Sequence, residues 1–243
     1  MNRNTVRTLE LGAEDIPSLL VENVDHYRVR GPAVVVNPHP EPVLLDVEPR
    51  VTIPALSSTI LADTTIVGAP SVLVLGLPDR PAAEVVRAPG WHPLGELLPP
   101  PDPADPTEFP RHTPLWKGPQ DGAGTARLDA PHLLGERPDR GAEETYEIRV
   151  NLWYAPAGTD CAIHNRHDFI EVHTQIAGVG RMQKFHAHDH RTLYQDIPMA
   201  PGYTTPQPFC RTAPGGGYRY PWHQYRADTD CVWLAVEYHR PAR

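Results

Sequence analysis

Between Gly158 and Gly178 the chain reads GTDCAIHNRHDFIEVHTQIAG, which places His164, His167, Glu171 and His173 within ten residues. Three imidazoles and a carboxylate so close together are costly to bury without compensation, and a divalent metal ion is the commonest compensation. From Asp168 onward apolar and polar residues alternate, which suits a strand presenting Glu171, His173 and Gln175 on one face. Two histidines in a turn, followed by such a strand, amount to half a metal site. His173, two residues past Glu171, is a candidate substitute ligand, a partner of a ligand, or a general base.

Other residues bear on the same chemistry. Arg149 and Asn151 share a face in YEIRVNLWY and could clamp an anionic substrate. Gln175 shares parity with Glu171 and His173 and is a further substrate-binding candidate, while Tyr225 or His173 could shuttle a proton. The triplet His186, His188 and His190 in FHAHDHR falls between two strand-like runs and reads as a solvated hairpin turn. Trp153, Trp222, Trp233 and Tyr154 are read as core or interface residues. The cysteines Cys161, Cys210 and Cys231 sit in no Cys/His/Asn arrangement, and no phosphate-binding glycine loop or Gly-x-Ser-x-Gly elbow occurs.

The elements that must position these residues are strands. Thirty prolines and eighteen glycines in 243 residues punctuate the chain too often for a helical bundle. Residues 1 to about 24 could hold one short helix around Ala13 to Val21. From Tyr27 to Leu77 the runs HYRVR, AVVVN, PVLLDV, RVTIPA, TTIVGA and SVLVLGL read as strands. We therefore expect a β-rich N-terminal region over 1–92, a proline-rich connecting loop over 93–140, and a second β-rich unit over 141–243. The net charge of -8 argues against nucleic acid and against anionic membrane surfaces as partners. No apolar run approaches a membrane span, no leader segment is visible, and an odd cysteine count suits a reducing compartment, so a soluble cytoplasmic protein is expected.

The second unit resembles the cupin superfamily over about the last 100 residues. Gly158, five residues, then His164, and Glu171, six residues, then Gly178, follow the first cupin motif. The motif's His-x-His would put its second histidine at Arg166; here it is His167, which a one-residue bulge at Asn165–Arg166 would accommodate. Pro221-Trp222-His223 looks like the second motif's step into a strand. A competing placement uses Pro201-Gly202, with Thr205 in place of the histidine. The resemblance implies an all-β jelly-roll or double-stranded β-helix barrel with an additional β-rich N-terminal region. It implies metal ligands His164, His167, Glu171 and His223, with Fe(II) favoured and Mn, Ni, Cu or Zn open. It further implies a homodimer and a metal-dependent enzyme acting on a small organic molecule, leaning to an oxygenase. A cupin isomerase, epimerase or cyclase, a non-catalytic small-molecule binder, and a site that has lost its metal stay open as alternatives.

Overall fold

The computed structural model describes residues 3–100, 109–206 and 208–241. The run Ala33–Asn37 is buried at every position, which a strand achieves only when both faces of its sheet are covered. Val34 and Val36 face one core, and Ala33 and Val35 face another. This strand, β3, belongs to a seven-stranded sheet with β1 (Thr5–Thr8), β2 (Ser18–Val29), β4 (Val43–Leu45), β5 (Thr52–Ile53), β6 (Ser57–Leu61) and β7 (Thr64–Gly76). Their order is β1-β2-β7-β3-β6, with β4 against β7 and β5 against β4. The inner core is aliphatic, including Val21, Val35, Ile53, Ile66 and Val72. Each such side chain, fully buried, contributes about 1.5–3 kcal/mol relative to exposure.

The helix expected around Ala13 to Val21 does not form. Pro17 has no N–H to continue it, so the chain makes one turn, closed by Ile16 N–H on Ala13 O, and enters β2.

The second region builds two further sheets. One runs β11-β17-β10-β9-β8, from β8 (His92–Pro93), β9 (Trp116–Leu128), β10 (Glu144–Ala155), β11 (Ile170–Ala177) and β17 (Cys231–His239). The other runs β13-β12-β16, from β12 (Gly180–Phe185), β13 (Leu193–Met199) and β16 (Trp222–Ala227), and a short pair joins β14 (Arg211–Thr212) to β15 (Tyr218–Arg219). Even-numbered residues of β10 and β17, such as Tyr146, Ile148, Leu234 and Val236, pack on Leu73, Leu75 and Val34 of the first sheet. The two β-rich regions therefore share a hydrophobic core. Odd-numbered residues of β10 and β17, Trp153 and Trp233 among them, face the β12–β16 sheet across a third core with Met182, Met199 and Tyr225.

The span 93–140 departs from the connecting loop expected there. It contains β9, thirteen residues paired with β10, although WKGPQDGAGTARL is poor in β-branched residues. Pairing and the burial of Ala123, Ala126 and Leu128 outweigh weak propensity, with two register shifts absorbing the misfit. Residues 101–108 of the proline-rich run lie outside the described residues. No helix among the described residues is long and apolar enough to cross a membrane.

One histidine of the first sheet sets a pH dependence of stability. His39 is buried, its Nε2 lies 2.8 Å from Ser71 Oγ, and burial pushes its pKa down to about 4. The unfolded imidazole binds a proton below about 6.5, the folded one only near 4, so acid favours the unfolded chain across that window. Urea titrations at pH 7 and near pH 4.5 should show His39→Gln losing ~2 kcal/mol less stability than the parent over the interval. Equal losses would exclude His39 as the cause.

Candidate metal centre

His164 and His223 are brought together by backbone before their side chains meet. His223 lies in β16, and His164 lies on the irregular segment after β10. Each donates its N–H to the other's carbonyl at 2.9 Å, an isolated antiparallel bridge that sets both imidazoles side by side with centroids 4.4 Å apart. Ala162, at φ 60°, turns the chain just ahead of His164. The chain then leaves strand pairing, bends at Asp168–Phe169 and enters β11. This loop, rather than the one-residue bulge expected, carries His167 back onto the pair. Its Nε2 lies 3.1 Å from His164 Nε2 and 3.2 Å from His223 Nε2.

The outer nitrogens decide which atoms face the centre. His164 Nδ1 is 3.0 Å from Ala162 O, and His223 Nδ1 is 2.9 Å from Pro221 O. A carbonyl only accepts, so each Nδ1 carries the proton and each Nε2 presents a lone pair. His167 Nδ1 faces Glu171 Oε2 at 3.6 Å, which favours the same tautomer. Burial lowers all three histidine pKa values, that of His164 to about 4 and that of His223 well below the usual range; the neighbouring imidazoles add to this at His164 and His223, while Glu171 works against it at His167. The imidazoles are thus neutral at pH 7.

Three neutral Nε2 lone pairs converge with no proton between them, an arrangement that repels itself unless a cation is shared. With metal–nitrogen bonds near 2.1 Å, ligand atoms sit about 3.0 Å apart on an octahedral edge and about 3.4 Å apart on a tetrahedral one. The observed separations of 3.1 and 3.2 Å fall between those values. Among the described residues, His164, His167 and His223 are the group whose donor atoms all lie close enough to hold one ion.

Glu171, expected as the fourth ligand, stands outside this group. It accepts from His173 Nε2 at 2.6 Å through Oε1 and lies behind His167 through Oε2. A carboxylate behind a ligating imidazole fixes the ring and raises its basicity. Burial alone would raise the Glu171 pKa, but His173 and His167 more than offset it and hold the carboxylate at about 2. His173 itself lines the cavity beside the triad.

Of the other candidates, Tyr225 lines the same cavity, whereas Gln175, Arg149 and Asn151 do not. Gln175 is buried, with its amide spent on Ala177 O and on the Tyr225 hydroxyl, which it accepts. Tyr225 stacks on Trp233 at 3.9 Å, and burial pushes its phenol far above the usual range. That hydroxyl is a fixed donor rather than the proton shuttle expected. Arg149 is partly exposed, pairs with Glu147 at 2.9 Å and does not line the cavity. Asn151 is buried under the site and donates to Glu237 Oε1 at 2.9 Å. Neither clamps a ligand in this arrangement. Thr205 accepts from His173 N–H and lies away from the triad, so the alternative placement of the second motif brings no residue to the centre. His186, His188 and His190 are exposed in the turn between β12 and β13.

A cavity of about 320 Å³ opens onto the triad, within the range of small-molecule sites. Its wall is apolar and aromatic, with Leu94, Phe109, Leu115, Trp153, Phe169 and Trp233. Residue reading missed Glu237 and Lys117, which also line it. Glu237 is buried opposite Glu171 in register and accepts from Asn151, from Gln120 at 3.0 Å and from His239 at 2.8 Å. The cavity thus joins three converging imidazole nitrogens, a carboxylate–imidazole pair able to hold a proton, and apolar walls.

No family model matches the chain, and no curated protein matches it by sequence. Solved structures match it at low superposition. A Bacillus subtilis oxalate decarboxylase variant is 11% identical with a TM-score of 0.32, covering 100% of this chain and 75% of its own. A Pseudomonas syringae protein of the DUF861 family is 13% identical with a TM-score of 0.30, covering 95% and 85%. A cupin 2 conserved barrel domain protein from Leptotrichia buccalis is 11% identical with a TM-score of 0.28, covering 98% and 91%. The chain's own strand order shows an all-β fold.

Proposed function

We propose that this chain is a metal-dependent enzyme acting on a small organic molecule, with His164, His167 and His223 as the metal ligands and an Fe(II) oxygenase as the favoured class. The observation that carries the reading is the convergence of three Nε2 atoms whose Nδ1 partners are a carbonyl, a carboxylate and a carbonyl. An all-imidazole face suits Fe, Ni, Cu or Zn better than Mn, which prefers oxygen donors. A divalent ion there supplies Lewis acidity and, if iron, redox capacity toward O₂. The chain's own residues supply the rest. The aromatic wall orients substrate and excludes water, and the Glu171–His173 pair, 2.6 Å apart, can hold or accept a substrate proton. That pair equally supports the second reading, an isomerase, epimerase or cyclase. In both readings the protein works in the cytoplasm as a homodimer, and its three free, buried cysteines suit a reducing compartment.

Elemental analysis of protein purified without an affinity tag should find about one transition metal per chain. Less than about 0.2 per chain, with no uptake on reconstitution with Fe(II) or Mn(II), would overturn the metalloenzyme reading. O₂ consumption with Fe(II)-loaded but not Zn(II)-loaded protein supports the oxygenase, and substrate turnover without O₂ uptake supports the isomerase. Ligand binding with no product under either condition indicates a non-catalytic binder.

A further inference from the structure

Lys117, Trp153 and Trp233 form one row across β9, β10 and β17, because Lys117 pairs with Trp153 and Trp153 with Trp233. The indole rings are nearly parallel, 8° apart with centroids at 6.3 Å, and Lys117 Nζ sits 5.4 Å from the Trp153 centroid. All three line the cavity, as do Glu171 and Glu237. Glu237 is four residues beyond Trp233 on β17, which puts the acidic end roughly 13 Å along the strand from the lysine end. The ends differ in which polar groups are left unmet. Both Glu237 oxygens and Glu171 Oε1 accept hydrogen bonds, and the atom left without one at that end, Glu171 Oε2, is itself an acceptor. At the other end, Lys117 makes no ion pair among the described residues, and the buried Trp153 indole N–H has no acceptor. The cavity is therefore short of an acceptor at its lysine end, while its other end already holds two carboxylates, with Arg166 and the three histidines also in the lining.

We infer that the site takes an amphipathic carboxylic acid, with its carboxylate at Lys117, a ring-bearing apolar body along the Trp153–Trp233 wall, and its reacting end at the three histidines. This deepens the metal-site reading and rests on it for the reacting end only. A charge-assisted hydrogen bond fixes the carboxylate, and the parallel indoles accept a flat or branched apolar group between the two ends.

The test is calorimetric titration of the full chain, cobalt-loaded and chelator-stripped, with 3-phenylpropanoate and its neutral amide. The acid is expected to bind about tenfold more tightly than the amide in both states, the worth of one charge-assisted hydrogen bond. Lys117→Gln should shrink that preference to within about twofold, and Lys117→Arg should keep it, with cobalt content unchanged in both. Equal affinity for acid and amide, no binding of either, or a preference that survives Lys117→Gln would each overturn the inference. A preference lost only on stripping would place the carboxylate on the metal and overturn it too. Failure of the metal reading shows separately, as absent cobalt uptake, while the acid-to-amide ratio is still read on stripped protein.

Discussion

Replacing His223 with alanine is expected to empty the metal centre, leaving less than about a tenth of an ion per chain where the parent holds about one. Two ligands remain, His164 and His167, with Nε2 atoms 3.1 Å apart, and neither Glu171 nor His173 offers a third atom to that group. The fold should survive. The bridge that joins the two segments is made by backbone, His164 N–H to His223 O and the reverse, and alanine keeps both bonds. The missing ring leaves a gap beside Phe209 and Tyr220, whose rings lie 4.9 and 5.5 Å from it. That gap costs stability, yet far less than an unfolding change, so circular dichroism should match the parent while metal and turnover are lost together. His188→Ala is the matched control, since it removes an exposed histidine from the turn before β13. Metal retained at more than half the parent level in His223→Ala, or lost in His188→Ala, would move the site elsewhere.

How far these features were legible follows from how local their causes are. Strand runs such as AVVVN and CVWLAVEYH carry their own signal, because burial on both faces demands unbroken apolar sequence. His164 and His223 were singled out through spacing around glycine and proline steps, and a backbone bridge joins the two segments that carry them. The position of Glu171 was not. Strand parity places it on the inner face but does not say whether its oxygens reach the ion or stop behind His167. Glu237 and Lys117 were missed for a different reason. Glu237 becomes a site residue only through register with Glu171, sixty-six positions earlier. Lys117 sits in a segment whose glycines and proline hide a strand that exists because β10 pairs with it. Local propensity is silent on such long-range pairing.

Substituting Glu171 separates a residue that positions the metal from one that binds it. Glu171→Ala strips His173 Nε2 of its 2.6 Å acceptor and leaves His167 Nδ1 with no carboxylate behind it, both in a buried setting. Loss of such a supporting carboxylate should weaken metal affinity about 10–100-fold in a competitive chelator titration. Turnover should fall by about 10²–10⁴, because the proton-holding pair is gone as well. The unpartnered imidazole should cost the metal-free protein about 1–3 kcal/mol in urea. Glu171→Gln keeps the shape and an acceptor oxygen, so it should recover most of that stability but little of the affinity, which depends on the charge. The parent carboxylate also sets an acid limit. Its pKa is about 2 when folded against 4.5 unfolded, so its share of the stability is complete above 4.5 and is lost as pH falls toward 2. Both variants should lack that acid-side loss. If Glu171→Gln holds metal and turns over like the parent, the residue only fills space. If Glu171→Ala loses the ion as completely as His223→Ala, its carboxylate reaches the metal directly, and the ligand set is three imidazoles and one carboxylate after all.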